Sequence, residues 1–199
     1  MTDKRLKAED YSAAAAALGV PVAAVRAVTD VESKGSGFLE DGRPVILFER
    51  HIMRHRLLQV GRKDVGDLQV KFPSIVNSKP GGYKGGKAEH DRLGLAATIH
   101  RQCALESCSW GLFQIMGFHW KALGYASVQE FINAMYRNEA GQLDAFVRFI
   151  KANPNLLKAL KAQDWAAFAK GYNGPGYAAN KYDTKMAAAF EHHSKQEAA

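Results

Sequence analysis

Cysteine is scarce: the chain of 199 residues holds two, Cys103 and Cys108. Their spacing fits neither a zinc site nor a thioredoxin pattern. A bridge between them would close a very small loop, so reduced thiols are expected. Long apolar runs are absent as well. No stretch of about 18 apolar residues occurs, so no transmembrane helix and no stable membrane insertion are expected. The opening MTDKRLKAEDYSAAAAALG places charges where a leader would need an apolar segment and a cleavage site. No secretory signal is therefore expected, and synthesis should leave the protein in a cytoplasm. The basic residues lack a block. There are 27 Lys and Arg against 20 Asp and Glu, a net charge of +7 and a pI near 9.4, yet the densest run is only ERHIMRHRL at 49–57. That balance favours an anionic polymer. Without a clustered patch it argues against nucleic acid. His51, His55, His90, His100 and His119 are too scattered to form a convincing ligand set, so no metal and no cofactor is expected.

What is present is mostly helical. AEDYSAAAAALGV offers Asp10 or Ser12 as a cap and Gly19 as a stop. Pro21 suits a first helical position. In PVAAVRAVTDVES, Val22, Val25, Ala27, Val28 and Val31 fall near one face. GFLEDGRPVILFE reads as a small hairpin turning at Asp41-Gly42, and ERHIMRHRL as a helix. Residues 63–87 read as a long surface loop rich in Pro, Gly and Ser, and such loops are often functional. Further helices are expected at 88–100, 128–136, 139–151 and 164–171, with a closing helix or frayed tail. The expectation is one mainly α domain over 1–199, its ends (1–8 and 191–199) frayed.

Three stretches carry chemistry. Glu32 ends an apolar helix in VTDVESKGSGF, at the helix end that already bears partial negative charge. A glutamate half-held in an apolar wall should have a raised pKa, and so keep a proton that a departing glycosidic oxygen needs. Taken alone, a solvated helix edge explains the position more simply. SCSWGLFQIMGFHW sets Trp110, Phe113, Phe118, His119 and Trp120 around Gln114, with Ser109 beside them. That mixture suits a carbohydrate groove, while core packing explains Phe113, Ile115 and Met116. A buried Gln114 would need partners. In GYNGPGY, Tyr172 is placed to hydrogen-bond a catalytic carboxylate and Asn173 to bind an N-acetyl group; an ordinary turn is the plainer account.

Together and in order, these motifs resemble the lysozyme-like superfamily, particularly goose-type lysozymes and soluble lytic transglycosylases. The finer match is to the N-acetylmuramidase family of bacteriophage endolysins, over about residues 11–190. The resemblance implies a lysozyme-like helical domain whose β-hairpin flanks a substrate groove. It implies cleavage of the β-1,4 bond between N-acetylmuramic acid and N-acetylglucosamine in peptidoglycan. The enzyme would be a monomer made in the host cytoplasm and released to the wall. Glu32 maps to the general acid, and Gln114, Tyr172 and Asn173 to the groove. Goose-type enzymes carry aspartates flanking their G-L-M-Q segment; here Met116 and Gly117 follow FQI. Glu106 is the expected water-orienting carboxylate. Glu49, otherwise a groove residue or a structural ion pair, and Glu89, otherwise a helix-surface pair with Arg92, compete with it. A lytic transglycosylase, needing one carboxylate, and a non-catalytic wall-binding module are the alternatives.

Overall fold

The computed structural model describes residues 4–33 and 35–197. In chain order the helices are α1 (Ala8–Leu18), α2 (Val22–Glu32), α3 (Arg50–Gln59), α4 (Val65–Lys71), α5 (Lys87–Glu106), α6 (Val128–Arg137), α7 (Glu139–Lys151), α8 (Pro154–Lys161), α9 (Trp165–Asn173) and α10 (Tyr182–Glu197). The strands are β1 (Ile46–Phe48), β2 (Cys108–Trp110) and β3 (Ile115–Met116). The chain divides into two compact units, one built from residues 1–36 and 138–199, the other from 37–137.

The first unit is all helix. α2 is buried along most of its length, with Ala24, Ala27 and Val28 wholly inaccessible. α1 and α10 pack on it. Arg26 is half-buried, its guanidinium 4.5 Å over the Tyr11 ring. Val22 and Val31, expected on the inner face, are only half-buried. Pro21 stands one position earlier than expected, as the N-cap. α10 runs on to Glu197 rather than fraying near residue 190, because it lies along α2. Its Met186 is fully buried, and His193 pairs with Asp30 at 2.6 Å. The other end is held as well. Glu139 N–H donates to the Lys4 carbonyl at 2.8 Å, and Leu6 N–H to the Glu139 carboxylate at 3.0 Å. Residues 1–3 and 198–199 lie outside the described residues.

α9 starts at Asp164, whose carboxylate accepts the Ala167 N–H at 3.0 Å. It ends at Asn173, where Gly174 turns out of the helix at φ 77°. A positive φ there is open to glycine and strained for other residues. α8 was not foreseen, though Pro154 at its start and Leu156, Ala159 and Leu160 on its buried side are ordinary helix signals.

The second unit holds the small sheet, ordered β1-β2-β3 and antiparallel throughout. Ile46 faces Trp110, Phe48 faces Cys108, and Trp110 faces Ile115. The hairpin expected over 37–49 is reduced to a turn at Asp41-Gly42 and one bridge between Phe38 and Pro44. The ILF strand pairs instead with 108–110, and the true hairpin is β2–β3, inside SCSWGLFQIM. Phe48, Met53, Leu57, Phe131, Met135 and Trp110 form the core of this unit. α5 has an extended residue at His100 (φ −162°, ψ 102°), where the expected helix ends, and then resumes to Glu106. Within the expected loop, α4 is helical and the remainder is not. Both cysteines are buried and unbridged.

Among the described residues no single helix is long and apolar enough to cross a membrane. α1 and α2 together meet that length and composition, but they are bent by 110°.

Candidate functional site

Glu32 closes α2 and is half-buried. Burial raises its carboxyl above the usual range; a hydrogen bond from Asn173 pulls partly the other way. Asn173 Nδ2 donates to Glu32 Oε1 at 2.7 Å, across 141 residues of sequence. The expectation gave Tyr172 the carboxylate and Asn173 an acetamide; here a hydrogen bond to the carboxylate comes from Asn173. Tyr172 belongs to an aromatic cluster. Its ring stacks on Phe168 at 5.9 Å and meets Phe146 and Phe149 edge-on at 5.7 and 5.8 Å. Burial, and then the charge of Glu32, push its phenol pKa up. The ring therefore stands near enough to Glu32 to sense it, and it is kept neutral. The result is a carboxyl of raised pKa at a helix end, held by an amide and close to the Tyr172 ring.

The other sequence-predicted residues lie in the second unit. Glu106 is 2 % exposed. Its Oε2 accepts both Nε (2.6 Å) and an Nη hydrogen of Arg56. Its Oε1 accepts from Gln102 Nε2 at 3.0 Å and from Trp120 Nε1 at 2.9 Å. A carboxylate offers about four acceptor positions, and protein donors fill all four. That arrangement does not suit the orientation of a water. Glu89 is fully buried, not on a helix surface. It accepts the N–H groups of Phe48, Lys84 and Gly85 and pairs with Arg92 at 2.7 Å. Burial raises its carboxyl pKa, but these donors outweigh it and the net shift is downward.

Glu49, the N-cap of α3, is different. Tyr83 Oη stands 2.9 and 2.8 Å from its two oxygens. His51 Nδ1 lies 3.2 Å away, outside hydrogen-bond geometry. Gln114 is exposed, at the tip of the β2–β3 hairpin, with φ +50°. Its amide is tied back: Ser109 Oγ donates to Oε1 and Nε2 donates to the Gly111 carbonyl, both at 2.8 Å. Ser109 itself is 6 % exposed. Trp110, read with the groove aromatics, is a core residue, as is Phe113, for which core packing was the plainer account. Trp110 Nε1 donates to the Leu105 carbonyl at 3.1 Å.

Sequence reasoning missed the clamp on Glu106, whose members come from α3, α5 and the segment after β3. It also missed Tyr83, which lies in a stretch with no periodicity to mark it. Among the described residues no group of three or more His, Cys, Asp or Glu is gathered to hold a metal.

Comparison with known proteins gives two findings. Residues 21–194 match the family model Muramidase, described as N-acetylmuramidase. The fold is also that of a crystal structure of Burkholderia AP3 phage endolysin, with TM-score 0.94 and 53 % identity, covering 98 % of this chain and 74 % of that one. No curated protein matches significantly.

Proposed function

The chain belongs to the N-acetylmuramidase family, and on that premise we propose that it is a peptidoglycan hydrolase of the endolysin type. It cleaves the β-1,4 bond between N-acetylmuramic acid and N-acetylglucosamine, with Glu32 as general acid. It acts as a monomer, made in a host cytoplasm and released to the wall. The observation that carries this reading is the half-buried Glu32 at the end of α2, its pKa raised by burial and its carboxyl aimed by Asn173.

The chemistry follows from that protonation. The protonated carboxyl, which burial favours, gives its hydrogen to the glycosidic oxygen as the bond to C1 breaks. Positive charge develops at C1 and the ring oxygen. The carboxylate left behind is stabilised by the Asn173 N–H. A water then bonds to C1 and returns a proton, giving a reducing muramic acid end.

One observation favours a second reading. With Glu106 fully occupied, the best-placed candidate for orienting that water is lost. A lytic transglycosylase needs none: the muramic acid C6 hydroxyl attacks C1 internally and leaves a 1,6-anhydro product.

Digestion of purified sacculi tests both. Mass spectrometry should find reducing muropeptides; products lighter by one water would assign the transglycosylase. Glu32→Gln should lose about 10²–10⁴ in rate, the usual worth of positioned acid catalysis, while still folding. Clearing at the parental rate by a folded Glu32→Gln would remove Glu32 from the mechanism. A wall-binding module would pellet with sacculi and release nothing.

A further inference from the structure

The segment 78–87, SKPGGYKGGK, is ordered without burying anything. Between residues 77 and 88 no side chain is buried. Fixing a backbone costs roughly 1–2 kcal/mol per residue, and apolar burial here returns almost none of it. The conformation is instead held by three charged side chains from beneath. Arg50 Nε and its two Nη atoms donate to the carbonyls of Lys79, Pro73 and Pro80 at 2.9, 3.1 and 3.0 Å. Glu89, itself fully buried, accepts the N–H groups of Lys84 and Gly85. Glu49 takes the Tyr83 hydroxyl. The segment holds up an aromatic ring that is 45 % exposed, flanked by the exposed Lys79, Lys84 and Lys87. The neighbouring glycines leave that ring unobstructed.

An exposed aromatic whose hydroxyl is anchored by Glu49, in a segment that also carries three exposed lysines, matches a saccharide that is apolar on its ring face and anionic at its substituents. We propose that this loop is a glycan-strand subsite. Tyr83 stacks on a sugar ring of the strand, and Lys79, Lys84 and Lys87 take the carboxylates of the peptide stem, or the lactyl carboxylate of a muramic acid that bears no stem. The proposal rests on the peptidoglycan reading above and adds a binding element to it. Glu49 is then a positioning residue: it fixes the ring and does not touch the sugar.

The test uses the full chain carrying Glu32→Gln, so that the strand is bound and not cut. The probes are purified sacculi and a neutral N-acetylglucosamine tetramer, which has rings but no carboxylates. Tyr83→Ala should weaken binding of both by about tenfold, the scale of one good aromatic contact. Tyr83→Phe keeps the ring but loses the Glu49 anchor, and should fall between. Replacing Lys79, Lys84 and Lys87 together by Ala should weaken sacculus binding only, and flatten its salt dependence. With Glu32 restored, the Tyr83→Ala defect should appear in KM.

Tyr83→Ala should lower the melting temperature only modestly, because no residue of the loop is buried and the loss is the hydroxyl's bond to Glu49. Parental binding of sacculi by folded Tyr83→Ala overturns the subsite, even if the parent digests sacculi normally. Failure of the parent to digest sacculi would strike the functional reading alone, because tetramer binding still reports on Tyr83.

Discussion

A carboxyl at the carbonyl end of a helix is a destabilising placement, and the proposed general acid, Glu32, occupies it. Burial raises its pKa while the Asn173 bond lowers it. Removing that bond with Asn173→Leu leaves burial alone, so the pKa climbs further. The alkaline limb of the pH–rate profile should therefore move to higher pH, with a lower plateau as the carboxyl loses its fixed rotamer. An unmoved limb would show that Asn173 does not tune the acid. Stability follows the same sign. The native state holds the Glu32 proton more tightly than the unfolded chain does. That contribution is complete below the unfolded pKa and is lost as pH rises through the native one. Glu32→Gln should accordingly melt with the parent in acid and above it at higher pH. Glu106 belongs to another class. Glu106→Gln leaves Arg56 and one N–H donor without a full acceptor set, and Arg56 is partly solvated. The expected loss is about 1–3 kcal/mol in stability, measured by denaturant titration. A large fall in activity with unchanged stability would restore its proposed role at the water. Glu32 stood out in the sequence because its position and residue type conflict locally. The occupation of Glu106 did not, because its four donors come from three separate stretches.

At the level of elements, the helices whose apolar residues recur at helical spacing were legible, α1, α2, α3, α6 and α7 among them. Strand partners were not. Periodicity marks ILF as a strand but says nothing of which segment it will meet, and its partner lies more than 50 residues on. Where the β2–β3 hairpin runs on, the chain closes tightly against the end of α5. A Cβ on Gly117 would stand 2.2 Å from the Leu105 carbonyl oxygen and 3.0 Å from Glu106 Cα. Both are backbone atoms and cannot swing aside. Gly117→Ala should cost about 3 kcal/mol, the upper end for overpacking, and should loosen the Glu106 clamp with it. An alanine variant that melts with the parent would mean the turn shifts freely. GFHW reads as an aromatic motif in sequence; its glycine is there for space.

For the whole molecule, a net charge of +7 predicts attraction to an anionic wall. It should be strongest at low salt, because screening shortens the reach of each charge to about 10 Å at 0.1 M. Adsorption of Glu32→Gln to sacculi should fall steadily as salt rises, and a flat response would remove charge from the binding account. The sequence by itself determined the mainly helical class and the family, and it singled out the carboxyl at the end of α2 that is proposed as the acid. Each of these is written in local pattern: apolar spacing, a misplaced carboxylate, and short motifs in order. Only the tertiary structure decided that Asn173 holds Glu32, that Glu106 and Glu89 are consumed by their own neighbours, and that Tyr83 is held out into solvent by Glu49. A hydrogen bond acts over 3 Å whatever the distance along the chain. Which donors reach a carboxylate is therefore settled by packing, and packing is the one thing that spacing along the chain does not encode.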